Sequence, residues 1–324
     1  MRFCSSDSCE KLPVKKGKIA KIIWIKILVV FCIIFSAVSV NAQFLKPADS
    51  LNKGRVWLVA GTGLGGYAVG MIGLNALWYA DFPREGFHFY NDNDQWLQMD
   101  KAGHAISAYQ VNRYGYEALR WAGVEEKKSI WLGAGYSLLW LTTIEVLDGF
   151  SSEWGFSTGD MAANVAGSAL FVAQQLAWEE QRIALKFSYS PSEYAQYRSD
   201  VLGSTGLERV LKDYNGQTAW LSLNLSSFGK REAAKLPWLN VAFGYGANGM
   251  TGGSYNPAFD DKGDLMPQFD RYRQFYLSLD VDLTKIKTNS HALKTLFSIV
   301  GFIKVPAPAI EFSQGAVQWH WIHF

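Results

Sequence analysis

The stretch "QQLAWEEQRIALKFSYS", Gln174–Ser190, decides the fold. Up to Trp178 it continues a long apolar segment with no alternation. From Ile183 onward apolar and polar residues alternate strictly. The first texture is that of a packed helix, the second that of a half-buried strand. The chain therefore reads as α+β, with helices before residue 183 and a β-rich antiparallel region over 183–324.

Working backward, four helical stretches are expected, roughly Arg55–Asp81, Lys101–Trp121, Ser129–Leu147 and Asp160–Arg182. Short connections between them suggest an antiparallel bundle of about four helices within 43–182. The first stretch has no charge between Arg55 and Asp81 and carries Gly61, Gly63 and Gly66 in G-x-G-x-x-G spacing after "VWLVA". A dinucleotide-binding turn would use that spacing after a strand. A packed or lipid-facing helix explains it better, because Trp57 and Trp78 bracket about 20 apolar residues. On that reading Gly61, Gly65, Gly66, Ala68 and Gly70 would let another helix come close, and no nucleotide is expected. The second stretch carries Arg113, Glu117 and Arg120, which a helix facing lipid tolerates poorly.

Working forward, "IALKFSYS", "TAWLSLNLSS", "LNVAFGYGA" and "QFYLSLDVDL" alternate at period two, and "AVQWHWIHF" follows at the end. Four to six strands are expected, fewer than the eight of the smallest closed membrane barrel. "HALKTLFSIVGFIK" has the pattern of a short amphipathic helix.

The chain has 324 residues, 49% of them hydrophobic and 15% aromatic, with a formal charge of +2. Residues 1–42 hold seven basic residues against two acids; the rest has 24 basic and 27 acidic residues, a net charge of −3. A mildly acidic chain without a basic run excludes nucleic acid as a partner. Lysines, then "IIWIKILVVFCIIFSAVSV", then "VNA" before Gln43 describe a signal peptide over 1–42 with a cut after Ala42; an uncleaved anchor is the alternative. "VVFC" lacks the small residues that would mark Cys32 for lipidation. Cys4, Cys9 and Cys32 all precede the cut, so the mature chain has no thiol chemistry.

The polar residues that interrupt the apolar helices cluster at helix ends. Asp100 and His104 are four apart and share a face; so do Asp160 and Asn164, while Glu145 and Asp148 are three apart. In an antiparallel bundle a helix start, a helix end and the next start meet at one end. All six are expected in one layer, with Lys101 at its rim and Ser157 or Asp160 capping the fourth helix. An aspartate at a helix start needs no function, since capping and the helix dipole favour it. Several carboxylates among apolar helices are different: they need Lys101, His104 or a cation as partners. A divalent metal held by His104, Glu145, Asp148 and Asp160 is the cofactor such a set would take.

The blocks "DKAGH", "EVLDGF" and "STGDMAANVAG" resemble the YfiM-type family of predicted periplasmic lipoproteins, and more distantly the VanZ-like membrane proteins. The resemblance runs from Trp57 to Trp178 and includes Asp100, Lys101, His104, Glu145, Asp148, Asp160, Asn164 and Gly167. It implies an exported envelope protein without an assigned activity, and it does not extend to the β-rich region.

An inner-membrane bundle would want basic cytoplasmic loops, yet Tyr79–Asp100 holds Arg84 against Asp81, Glu85, Asp92 and Asp94, and Gly149–Gly159 has no Lys or Arg. Periplasm or outer membrane is the expected location, with the inner membrane as alternative and a lipid surface as partner. The leading functional expectation is a non-catalytic binding or structural module. A membrane-proximal hydrolase or lipid-modifying enzyme using His104 with Glu145, Asp148 and Asp160 is the alternative. An outer-membrane pore has too few strands.

Overall fold

Both textures become structure where the sequence changes. The computed structural model describes residues 45–79, 82–229, 236–260 and 263–324, so the signal-peptide reading of 1–42 lies outside the described residues. Helices α1 (Lys53–Leu74), α2 (Met99–Trp121), α3 (Glu126–Asp148) and α4 (Thr158–Trp178) come first. Strands β1 (Ile183–Tyr189), β2 (Gln217–Leu223), β3 (Leu239–Asn248), β4 (Tyr272–Val281), β5 (Ala307–Ser313) and β6 (Ala316–His323) follow. The short helices α5 (Ser199–Leu202) and α6 (Gly206–Lys212) lie between β1 and β2, and α7 (His291–Val300) lies between β4 and β5. Residues Lys46–Phe324 form one unit.

Helix α2 is the centre of the bundle and packs on both α3 and α4. Two glycines make these crossings close. A Cβ at Gly167 would lie 2.0 Å from the Ala105 carbonyl oxygen, and one at Gly133 would lie 2.8 Å from Asn112 Oδ1. At such distances any side chain would force the helices apart.

Helix α1 leans on α3 along a different line from the expected one. Tyr67 hydrogen-bonds Thr143 at 2.8 Å and meets Trp140 edge-on, while Tyr136 donates to the Gly63 carbonyl at 2.9 Å. Gly63 and Gly70 therefore face α3, whereas nothing stands within 4 Å of a Cβ built on Gly61, Gly65 or Gly66. The contact line runs through 63, 67 and 70, a single helical face that the G-x-G-x-x-G spacing does not follow. That spacing lies wholly inside a helix, with no strand before it, and the dinucleotide reading fails on that ground. Helices α1 and α3 are each apolar and long enough to cross a bilayer, by length and composition alone.

The six strands form an antiparallel meander in the order β1-β2-β3-β4-β5-β6. The sequence pattern missed β5, because Pro306 and Pro308 break its appearance. Pro308 falls where the β5–β6 register slips between Ala307 and Ala309, an irregularity that suits a residue without an N–H. The sheet also curls. Trp220 on β2 meets His323 on β6 at 5.8 Å, and Tyr276 on β4 stacks on His323 at 4.3 Å.

One edge of the sheet is covered. Phe187 on β1 donates to the Phe302 carbonyl and accepts from Lys304 N, while Gln110 on α2 donates to the Leu185 carbonyl at 2.5 Å. Arg113 and Tyr114 bond the carbonyls of Ser298 and Ile299 on α7. Arg113 and Glu117, charges that seemed out of place on α2, thus tie the helix to Ser298 on α7, while Arg120 bonds the Val124 carbonyl. The Phe302–Lys304 segment and Gln110 cover the edge of β1.

The alternation runs with inverted polarity. Lys186, Ser188, Thr218, Trp220, Ser222, Asn240, Gln274, Ser278, Asp280, Glu311 and Ser313 point inward and are buried. Leu221, Phe243, Phe275, Leu279, Phe312, Trp319 and Trp321 point outward and are exposed, Trp321 by 78%. A sheet of a water-soluble domain buries its apolar side.

Candidate functional site

The cluster forms where α2 starts, α3 ends and α4 starts. A backbone turn of unusual shape leads into it: Trp96, Leu97 and Gln98 all have positive φ, at 48°, 49° and 66°. None is glycine, so each costs energy and needs neighbours to hold it. The sheet region supplies them. Trp96 N donates to the Gly253 carbonyl at 2.8 Å, Arg273 donates to Gln98 Oε1 at 2.7 Å, and the Tyr245 hydroxyl bonds the Leu97 carbonyl. Gln98 closes the turn on the Asn93 carbonyl at 2.6 Å. The turn brings Asp92 back alongside Asp100 and Lys101.

Lys101 lies between carboxylates, at 2.5 Å from Asp92, 2.9 Å from Asp160 and 3.6 Å from Asp100. The expectation of a rim position is corrected: its side chain is 14% exposed and bridges α2 to α4. Loop residue Asp92 is what draws it inward. His104 holds the other side. Its Nδ1 meets Asn164 Oδ1 at 3.0 Å and stands 3.5 Å from Glu145 Oε1, and its Nε2 stands 3.8 Å from Asp100 Oδ1. Ser157 closes the layer: its N donates to Glu145 Oε2, its Oγ donates to Asp92 at 2.6 Å, and that Oγ accepts from Asp160 N at 3.1 Å.

The sequence therefore brings together Asp100, Lys101, His104, Glu145, Ser157, Asp160 and Asn164. Asp148 takes a separate partner, the Tyr79 hydroxyl at 2.7 Å. Three members were missed. Tyr79 ends the π-helical turn that continues α1, Asp92 comes from the irregular segment before α2, and Tyr214, which donates to Asp100 at 2.8 Å, comes from the loop before β2. No periodicity marks such residues. A cavity of about 40 Å³, enough for a water, is lined by Tyr79, Arg84 and Leu147.

Burial sets the proton affinities. It raises Glu145 to about 8, with Asp160 and Asp148 adding to the effect against His104. Burial and then the charge of Asp100 raise Asp160 to about 7. Burial likewise raises Asp148 to about 6, although the Tyr79 hydrogen bond pulls the other way. For Lys101 burial opposes the charge, but Asp92, Asp100 and Asp160 outweigh it and the pKa rises. His104 behaves alike, with Asp100, Asp160 and Glu145 overcoming desolvation. Asp92 moves the opposite way: against burial, hydrogen bonds from Asp160, Lys101 and Ser157 hold it below the usual range. The group is thus able to hold protons near neutrality or to surround a cation.

Asp100, His104 and Asp160 each offer a ligand atom within 4.8 Å of the others. The expected metal set of His104, Glu145, Asp148 and Asp160 is different. Asp148 faces Tyr79, and Glu145 stands on the Nδ1 side of His104, next to Asn164.

No curated protein and no solved structure matches the chain. A family model does: residues 85–175, which carry every member of the cluster except Tyr79 and Tyr214, match the family described as predicted periplasmic lipoprotein (DUF2279), a description that supports an exported envelope protein.

Proposed function

We propose that this chain is a non-catalytic envelope protein seated at the outer membrane, in which the His/carboxylate cluster fixes the helical bundle and the sheet contacts lipid. The observation that carries the reading is the inverted polarity of the sheet. Its inward side buries the Lys186–Asp280 ion pair at 2.7 Å, whereas its outward side exposes Phe243, Phe275, Phe312, Trp319 and Trp321. Polar-in and apolar-out alternation is what an outer-membrane sheet needs, because hydrocarbon replaces water on the outer side. Helix α1 adds to that surface, since none of its residues is buried and Trp57 is 77% exposed. The periplasmic family description supports export.

The cluster fits a structural task. Glu145, Asp160 and Asn164 are 1%, 3% and 0% exposed, and they lie where three helices meet. The experiment is sucrose-gradient separation of cell envelopes followed by carbonate extraction. The protein is expected with outer-membrane markers and in the carbonate-resistant pellet. Co-migration with inner-membrane markers, or release by carbonate, would overturn the reading.

A further inference from the structure

We propose that Asp100, His104 and Asp160 form a binding site for a divalent transition cation of the zinc class, a site separate from lipid attachment. Three observations lead there. The first is the orientation of the imidazole. With Nδ1–H donating to Asn164 Oδ1 at 3.0 Å, the neutral ring carries its lone pair on Nε2, the nitrogen that stands 3.8 Å from Asp100 Oδ1. A partner on one ring nitrogen is how proteins aim the other at a metal.

The second is spacing. Nε2 and Asp100 Oδ1 stand 3.8 Å apart, too far for a hydrogen bond. Two ligands of one tetrahedral zinc ion, each at about 2.0–2.2 Å, stand about 3.3–3.6 Å apart, so a shift of a few tenths of an ångström would seat both on one ion. An oxygen of Asp160 completes a set of three within 4.8 Å. Water would fill a fourth position.

The third observation is a buried carboxylate beside His104. Glu145 is 1% exposed, stands 3.5 Å from His104 Nδ1, and its buried Oε1 has no hydrogen-bond partner. A carboxylate oxygen left in that state is costly unless positive charge sits nearby. Five carboxylates (Asp92, Asp100, Glu145, Asp148 and Asp160) surround one lysine and one histidine. Lys101 is engaged by Asp92 at 2.5 Å and Asp160 at 2.9 Å rather than by Glu145. A cation at Nε2 would bring positive charge to the ring that Glu145 faces.

One imidazole with carboxylates suits zinc rather than magnesium or calcium, which favour all-oxygen sets. The test uses the full chain, tag-free, purified in detergent and stripped with a chelator. Calorimetric titration with Zn²⁺ should give one site, and Zn²⁺ should raise the melting temperature. Asp100→Asn and His104→Gln should each weaken binding by at least 100-fold. Because either variant could misfold, ¹⁵N-histidine NMR of the unaltered chain provides the second reading. Zn²⁺ should shift the Nε2 resonance of one histidine whose Nδ1 stays protonated, and that resonance should be missing in His104→Gln. Absence of Zn²⁺ binding, binding unchanged in His104→Gln, or a response to Mg²⁺ and Ca²⁺ alone would overturn the proposal.

Discussion

His104 and Asn164 lie 60 residues apart in the chain and 3.0 Å apart in the fold. The contact joins α2 to α4 inside the layer and leaves Asn164 with no exposed surface. Removing the acceptor strands the imidazole N–H beside Glu145. Asn164→Ala should therefore cost about 1–3 kcal/mol in chemical denaturation. The double variant with His104→Ala should lose less than the two single losses added, because the pair is one interaction. Full additivity would show that the two residues act separately.

Lys101 gives a sharper test of charge. Lys101→Met removes the ammonium that faces Asp92, Asp100 and Asp160, and a destabilisation of about 3–5 kcal/mol is expected. Asp160→Asn in the same chain should recover part of the loss by removing one of the stranded charges. Urea melts of the single and double variants measure both values. A single variant as stable as the original would mean that water, not Lys101, screens these carboxylates.

How much of this was legible in the sequence depends on the kind of residue. Helix positions repeat, so Asp100 with His104 and Asp160 with Asn164 declared their shared faces through spacing alone. Alternating helix direction then placed the ends together. Asp92 and Tyr214 declared nothing, since each reaches the layer from irregular chain whose path depends on distant contacts such as Arg273 with Gln98, and Tyr79 sits on a π-helical turn after α1 that departs from the 3.6-residue period. The strands declared themselves by period two, apart from β5, which holds Pro308 and follows Pro306. Which side of the sheet faces inward was hidden as well. Period two says that sides differ, and only the pairing partners say which side is covered.

Asp148 makes a pH prediction. Its pKa is raised by burial to about 6 in the folded chain, above its ordinary value near 4. The folded state therefore binds a proton more tightly than the unfolded state, and this group's contribution to stability is complete below about pH 4 and lost as pH rises through about 6. Asp148→Asn keeps an acceptor for the Tyr79 hydroxyl and removes the charge. Near pH 7.5 the variant should be more stable than the parent, by up to about 3 kcal/mol, and near pH 4 the two should agree. Equal stability at both pH values would remove Asp148 from the acid response.

The close crossing of α2 and α4 should tolerate no side chain at Gly167. A Cβ there would stand 2.0 Å from the Ala105 oxygen and 2.9 Å from its Cα, both backbone atoms that cannot rotate away. Gly167→Ala should therefore cost at least about 2 kcal/mol, even though alanine favours helix over glycine by about 1 kcal/mol. Gly65→Ala, on the open face of α1 with nothing within 4 Å, should be neutral or slightly stabilising. Thermal melts of the two variants, measured side by side, would refute the close packing if they rank in the reverse order.

The sheet separates two kinds of surface, and the last prediction sets one against the other. On the outward side, Phe243 and Trp321 are 51% and 78% exposed and touch no core. Lysine at either position should leave folding in detergent nearly unchanged, because no packing is lost. In lipid the same substitution should cost up to about 2–4 kcal/mol at mid-depth and less near the headgroups, so the variants should leave the carbonate-resistant pellet. On the inward side, Lys186 and Asp280 form an ion pair of 2.7 Å with 1% and 0% of their side chains exposed, and Ser222 Oγ donates to Asp280 at 2.6 Å. Lys186→Met leaves Asp280 buried without its ammonium and should cost about 3–5 kcal/mol in detergent. The fraction that folds should still attach to lipid, since its outer face is intact. A sheet that faced water would give the opposite pairing: Phe243→Lys and Trp321→Lys would change neither attachment nor solubility, and the apolar surface would then need a protein partner to explain it.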